Sequence, residues 1–269
     1  MKTIILIPAR YASTRYPGKP LVELTLPGGT KKSLIQMSWE AARRVRGVDA
    51  VYVVTDDKRI ADAAKMFGAE VIMTKKDCEN GTERCSEAVR IADLKADLYV
   101  NLQGDAPLTP HWFVEDLIAA MKRDTTAEMA TPVLRLDRLT YGHFIEDRKN
   151  NRVGGTTAVF DHTGYALYFS KEVIPFIELN KLVQEAPIPI FHHVGVYAIT
   201  SEAINTYDTW SKGPLEKLEG LEQLRFLENG KRVKCVEVNG KGRVFWELNN
   251  PEDVARIESV LDTLWLPEK

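Results

Sequence analysis

A three-layer α/β fold, built on a mostly parallel sheet with an inserted antiparallel part, is predicted by three features of this sequence. Short apolar runs alternate with amphipathic helical stretches through the first half, the pattern of βαβ units with right-handed crossovers. The second half changes to closely spaced strand signals around the turn-rich Asp161-His162-Thr163-Gly164, which reads as a hairpin connection. A chain of 269 residues also suits one large domain with a sizeable insertion and an ample core.

Thr3–Pro8 is nearly continuous in apolar residues, as a strand buried on both faces is. Ser33–Val45 reads as a helix with Leu34, Met37, Ala41 and Ala42 on one side. Ala50–Val54 is a second buried strand, and Lys58–Phe67 a helix stopped by Gly68. Glu70–Met73 and Leu98–Leu102 are strands either side of a helix at Thr82–Leu94, and a helix at Trp112–Met121 leads to a strand at Met129–Val133. Thr157–Phe160 and Tyr165–Ser170 form the hairpin, and a looser segment at Ile174–Pro189 precedes a strand at Val194–Ile199. Pro214–Glu228 is predicted to be one strong helix, with Pro in its first turn, Leu215, Leu218, Leu221 and Leu224 as a core-facing stripe, and Asn229-Gly230 as its stop. Arg232–Val238 and Arg243–Leu248 return to the sheet, and Pro251–Leu261 closes the chain as a helix.

With 36 Lys and Arg against 38 Asp and Glu, the net charge of −2 excludes a protein that coats nucleic acid through a broad basic surface. The opening apolar run stops at Arg10, too short for a membrane span or a secretory signal. Cys78, Cys85 and Cys235 lack paired motif spacing, which fits a reducing compartment, so a cytoplasmic location is expected. Near-neutrality conceals an asymmetry: residues 1–32 carry Lys2, Arg10, Arg15, Lys19, Lys31 and Lys32 against Glu23 alone.

Part of that charge lies in Ile7-Pro-Ala-Arg10-Tyr-Ala-Ser13-Thr-Arg15-Tyr-Pro-Gly18-Lys19-Pro20, directly after the first strand, where open α/β sheets place their ligands. Small residues let such a loop wrap a polyanion while Arg and Lys neutralise it. Pro20 stands where a Walker A loop needs Ser or Thr, and no GxGxxG occurs. Asn101-Leu-Gln103-Gly104-Asp105-Ala106-Pro107-Leu108 puts a carboxylate at another strand end, suited to Mg²⁺ on a triphosphate. Asn80-Gly81-Thr82-Glu83-Arg84 opens a helix, where Thr82 and Arg84 are read either as base or phosphate contacts or as an ordinary cap.

Taken in order, IPARYASTRYPGKPL, VTDD (54–57), GTER (81–84), NLQGDAPL (101–108), GYALYFSKEVIPF (164–176), HHVGVYAIT (192–200), PLEKLEGLEQLRFLENG (214–230) and NPEDVARIE (250–258) resemble the CMP-Kdo synthetase family, the 3-deoxy-manno-octulosonate cytidylyltransferases. The resemblance runs nearly the whole chain. It implies a Rossmann-like nucleotidyltransferase fold, a homodimer, CTP and a sugar acid as substrates, Mg²⁺ as cofactor, and a role in lipopolysaccharide biosynthesis. It further implies an insertion at about residues 157–230 for acceptor binding and dimerisation. In the family the anomeric hydroxyl of a 2-keto sugar acid attacks the α-phosphate of CTP, giving a CMP-sugar and pyrophosphate. By position, Arg10 and Lys19 would hold the triphosphate with Ser13 and Arg15, Thr82 and Arg84 would lie by cytosine and ribose, and Gln103 would face the base or the sugar acid. Asp105 would bind the metal, and His193, Glu219, Gln223 and Tyr197 would shape the acceptor pocket.

The sequence departs from the family at Ala106, where an acidic residue is usual, at Asn249, where a second metal-binding Asp is usual, and at Thr157, where a Lys is usual. Glu247 precedes Asn249 by two residues, hence on the same strand face, and is long enough to serve as the replacement ligand. Lost charge and Gly154-Gly155 near the acceptor end point to a changed acceptor, such as an amino or deoxy Kdo or another 2-keto sugar acid. Transfer to a non-Kdo acid or a sugar phosphate, and a silent nucleotide-binding homologue, stand as the alternatives.

Overall fold

The computed structural model describes residues 1–12, 16–104, 108–153, 155–178, 187–242, 248, 251 and 253–264. The chain divides into two units: Met1–Glu115 with Ile199–Asp208 and Gly240–Lys269, and Asp116–Ala198 with Thr209–Asn239.

The first unit runs β1 (Thr3–Ala9), β2 (Glu23–Thr25), β3 (Lys31–Ser33), α1 (Leu34–Arg43), β4 (Ala50–Thr55), α2 (Lys58–Met66), β5 (Glu70–Met73), α3 (Gly81–Ile91) and β6 (Leu98–Leu102). Its strands lie in the order β5-β4-β1-β6, all parallel, with Ile4 opposite Ala50, Thr3 opposite Leu98 and Tyr52 opposite Glu70. Every residue of β1 and of β6 is buried, which is why both read as unbroken apolar runs. Helices α1 and α3 pack on β1 and β4. Each helix begins on a side-chain cap: Ser33 accepts from Gln36 N–H, Asp57 from Arg59 N–H, and Asn80 from Glu83 N–H. Gly68, at φ 86°, lies just past the end of α2, the left-handed position a glycine stop supplies. The hairpin of β2 and β3 is additional to the predicted elements. Its Leu24 and Leu26 join Leu34, Met37, Leu248, Ile257 and Leu261 in one buried cluster, so three-residue strands persist by packing and not by alternation.

Helix α4 (His111–Arg123) leads to the second unit, with β7 (Met129–Arg135), α5 (Arg138–Lys149), β8 (Thr156–Phe160), β9 (Ala166–Ser170) and β10 (Phe191–His193). There follow β11 (Val196–Thr200), α6 (Ser201–Thr206), α7 (Pro214–Glu219), α8 (Leu224–Glu228), β12 (Val233–Glu237) and the closing helix α9 (Asp253–Leu264), of which α6, α9 and the last two residues of β11 belong to the first unit. In the second unit β12 pairs in parallel with β7, while β10 is antiparallel to both β7 and β8, and β8 and β9 form the expected hairpin. Helix α5 carries no readable apolar stripe, because Phe144 is its single buried residue among the described ones. The strand expected at Arg243–Leu248 lies, but for Leu248, outside the described residues.

The segment Pro214–Glu228 corrects the sequence reading. It is two short helices, because Gly220 turns left-handed at φ 63° and its N–H closes on the Glu216 carbonyl at 2.7 Å. The leucine stripe loses its common face: Leu218 is 83% exposed and Leu215 37%, whereas Leu224 is fully buried. What the segment buries instead is an ion pair, Arg225 donating from Nε and Nη2 to the two Glu216 carboxylate oxygens at 2.7 Å each. Both residues are nearly inaccessible, so removing one partner strands the other's charge. Glu216→Ala is expected to cost about 3–5 kcal/mol, read as a lower urea midpoint at unchanged m-value.

Candidate active site

In the first unit the loop after β1 folds back on itself. Gly18 N–H donates to Tyr11 O at 2.9 Å, which sets Arg10 and Lys19 on either side of one backbone hydrogen bond. Gly18 is left-handed at φ 74°, and a Cβ there would lie 3.0 Å from the Tyr11 ring, so only glycine fits. Arg59 lies over the Tyr11 ring, its guanidinium carbon 3.3 Å from the ring centroid. Asp57 grips Arg59 through both oxygens, and that contact holds its carboxyl below the ordinary range. Arg10 is exposed, with Nη1 3.4 Å from Glu79 O.

A second close approach builds the neighbouring edge. Gly104, at the end of β6, donates to Pro8 O, and a Cβ there would meet that oxygen at 3.0 Å. Gly81, opening α3, lies under the Gln103 amide: its missing Cβ would be 2.8 Å from Nε2. Neither glycine has a positive φ, so closeness and not dihedral freedom demands them. Buried Asn101 donates to buried Thr82 at 3.1 Å, and Asn101 Oδ1 has no hydrogen-bond partner among the described residues. Arg84 is buried as well; Nη1 lies 3.2 Å from Asp56 and donates to Thr74 Oγ1 at 2.6 Å and Lys75 O at 3.1 Å, tying together the ends of β4 and β5. Arg10, Lys19, Thr82, Gln103 and Gly104 are thus brought to the carboxyl ends of β1 and β6 and the start of α3. Tyr11, Asp56, Gly81 and Asn101 escaped the site reading, although Asp56 stands within the VTDD motif at a strand end.

In the second unit His193, Tyr197 and Gln223 form a connected chain. The His193 and Tyr197 rings stack at 5.7 Å and 28°, and Tyr197 OH donates to Gln223 Oε1 at 3.1 Å. Gln223 Nε2 is buried without a partner among the described residues. Glu219 stands at the end of β9, accepting from Ser170 Oγ at 2.6 Å and Lys171 N–H at 3.0 Å. Thr157 is turned inward, its hydroxyl donating to Glu172 O at 2.7 Å, so the departure from Lys there is a packing device. Gly155 exists for Phe144, whose Cζ would lie 2.5 Å from a Cβ, and Phe144 packs edge-on to His192. Burial pushes the His193 imidazole down to about 3 and that of His192 to about 4, leaving both neutral at pH 7.

Ser13, Arg15, Asp105, Glu247 and Asn249 lie outside the described residues. Among the described residues no group of three His, Cys, Asp or Glu side chains is placed to hold a metal ion.

Comparison with known proteins gives this geometry its setting. A family model described as cytidylyltransferase matches residues 4–233. The 3-deoxy-manno-octulosonate cytidylyltransferase of Maricaulis maris (strain MCS10) is 39% identical over 261 residues, 97% of each chain. The chain belongs to the CMP-Kdo synthetase family. A second relative, the 8-amino-3,8-dideoxy-manno-octulosonate cytidylyltransferase of Shewanella amazonensis (strain ATCC BAA-1098 / SB2B), is also 39% identical, over 97% of this chain and 99% of its own. The solved structure of CMP:2-keto-3-deoxy-manno-octonic acid synthetase complexed with CTP superposes at a TM-score of 0.81, with 31% identity, covering 98% of this chain and 100% of the other. The fold is accordingly the Rossmann-like nucleotidyltransferase fold of the CMP-Kdo synthetases, mostly parallel with an added antiparallel strand set.

Two expectations follow for this family member. Gly81→Ala should displace the flexible Gln103 amide, shifting stability by no more than about 1 kcal/mol while slowing pyrophosphate release about tenfold, a split read by urea titration beside steady-state kinetics. The second concerns acid. An unfolded histidine binds its proton near pH 6.5, but folded His193 does not until about pH 3. The unfolded chain therefore holds more protons in that window, so stability is full above pH 6.5 and falls as pH drops. Between pH 6.5 and 5 His193 alone should remove about 2 kcal/mol, and His193→Gln should flatten the pH slope of the urea midpoint accordingly.

Proposed function

We propose that this chain transfers the cytidylyl group of CTP to the anomeric hydroxyl of 3-deoxy-manno-octulosonate or its 8-amino-3,8-dideoxy form, releasing pyrophosphate. The hydroxyl oxygen bonds to the α-phosphorus, the bond from that phosphorus to the β-phosphate bridging oxygen breaks, and the hydroxyl proton passes to solvent. The carrying observation is full-length similarity, 39% identity over 97% of both chains, to a cytidylyltransferase for that acid. The equal identity to the 8-amino relative supports including both acceptors.

A triphosphate brings about four negative charges, and a sugar acid approaches them with one more. Exposed Arg10 and the adjacent Lys19, with Ser13 and Arg15 from the same loop, are the groups that cancel this field and stabilise charge on the departing pyrophosphate. Asp105, with Glu247 or Asn249, is an all-oxygen donor set of the kind Mg²⁺ takes, and the ion when bound would add charge neutralisation and Lewis acidity. No side chain is assigned as general base. His193, Tyr197, Glu219 and Gln223 form the acceptor side, and the working unit is a cytoplasmic homodimer. Among the described residues no helix is long and apolar enough to cross a membrane.

The test is pyrophosphate release with CTP, Mg²⁺ and a panel holding both octulosonates, other 2-keto sugar acids and sugar 1-phosphates. Release with an octulosonate is expected, with Arg10→Ala lowering kcat/KM about a hundredfold. Release only with a sugar phosphate would overturn the acceptor, and tight CTP binding without release would identify a silent nucleotide-binding homologue.

A further inference from the structure

The buried hydroxyl of Thr131, on β7, meets His193 Nε2 at 2.9 Å, the Val196 carbonyl oxygen at 2.9 Å and the Val194 carbonyl oxygen at 3.3 Å. A hydroxyl has one proton to give and lone pairs that accept, whereas a carbonyl only accepts. Were the Thr131 proton aimed at Nε2, two lone-pair-bearing oxygens would face each other at 2.9 Å in the interior with no proton between them. The Val194 oxygen already accepts from Val196 N–H at 2.7 Å, which leaves the Val196 carbonyl as the recipient of the hydroxyl proton. The Thr131 oxygen then accepts, and Nε2 of His193 is its donor.

A neutral imidazole carries a single N–H, so Nδ1 is left with a bare lone pair. Burial keeps this ring neutral throughout the physiological range. Nδ1 makes no hydrogen bond to any described residue. Tyr197 on one side and Phe169, edge-on at 5.0 Å, fix the plane of the ring, so the lone pair has a set direction.

We infer that Thr131 is a positioning residue that locks His193 in the Nε2–H tautomer, making Nδ1 an acceptor reserved for a hydroxyl of the sugar acid and closed to its carboxylate. The inference rests on the acceptor-side reading of His193 given above. It also assigns polarity to the chain of side chains: at one end an obligate acceptor, and at the other Gln223 Nε2, a buried donor suited to an oxygen without a proton. A polyhydroxylated acid has both kinds of group, and the two ends distinguish them.

Long-range proton–nitrogen correlation on the ¹⁵N-histidine-labelled full chain near neutral pH reads the tautomer without substrate, with His193→Gln identifying the signal. The expected spectrum has His193 as the pure Nε2–H form with a proton protected from exchange. Thr131→Val should expose that proton to exchange and mix the tautomers, and Thr131→Ser should restore the original signal. With CTP saturating, Thr131→Val should raise KM for 3-deoxy-manno-octulosonate about tenfold, with kcat and the CTP KM changed less than about twofold, and Thr131→Ser should recover it. Finding His193 as the Nδ1–H form in the unsubstituted protein overturns the inference. An altered tautomer in Thr131→Val with an unaltered sugar-acid KM overturns the hydroxyl contact. Absence of pyrophosphate release by the unsubstituted protein with every sugar acid would overturn that contact together with the proposed reaction, while the free-protein spectrum still decides the tautomer.

Discussion

The first unit depends on a backbone meeting a backbone. Gly104 at the end of β6 closes on the Pro8 carbonyl at the end of β1, and any side chain at 104 would push the two strand ends apart. Because the strands end together, the loop that leaves β1 and the loop that leaves β6 start from one edge, with Gly81 letting Gln103 lie over the start of α3. The cations of the first loop then need no buried scaffold. Arg10 and Lys19 flank a short return, Tyr11 to Gly18, that leaves Arg10 exposed at little desolvation cost.

The second unit uses the opposite electrostatic strategy. Its polar chain of Thr131, His193, Tyr197 and Gln223 is buried and uncharged, so what it presents is the direction of donors and acceptors and not net charge. A charged group in that place would carry a heavy desolvation cost, as the depressed His193 proton affinity indicates. Among the described residues of that unit the buried charged side chains are Arg225 and Glu216, and they pair with each other.

The central parallel strands were legible because they are buried on both faces, as Leu98–Leu102 is; the edge strand Glu70–Met73, where Ile72 alone is buried, is also observed as predicted. Helix ends were legible where a side-chain cap or a left-handed glycine marks them, as at Asp57 and Gly68. Elements stabilised by distant partners were not: β2 and β3 rely on Ile257 and Leu261, and α5 buries Phe144 alone among its described residues. The leucines at 215, 218, 221 and 224 misled because their helical spacing ignores Gly220, which ends the helix midway. Within the site, motif residues such as Arg10 and His193 were nameable by type and order. Thr131 was not, since a threonine in a buried strand has no local signal; its role appears only when β7 lies beside β10.

Glu228 accepts from the N–H groups of Leu215 and Glu216, so the last residue of α8 clamps the first turn of α7. Gly213 has no side chain because the Glu228 carboxylate occupies that space. The two helices are consequently a bracket clamped at one end by Glu228, with Glu219 and Gln223 at the other, separated by residues 220–222. Glu219 in turn ties that end to β9 through Ser170 and Lys171, so the bracket is fixed at both ends. An insertion or deletion within residues 220–222 would therefore be taken up by the bend itself, with both helices held in place.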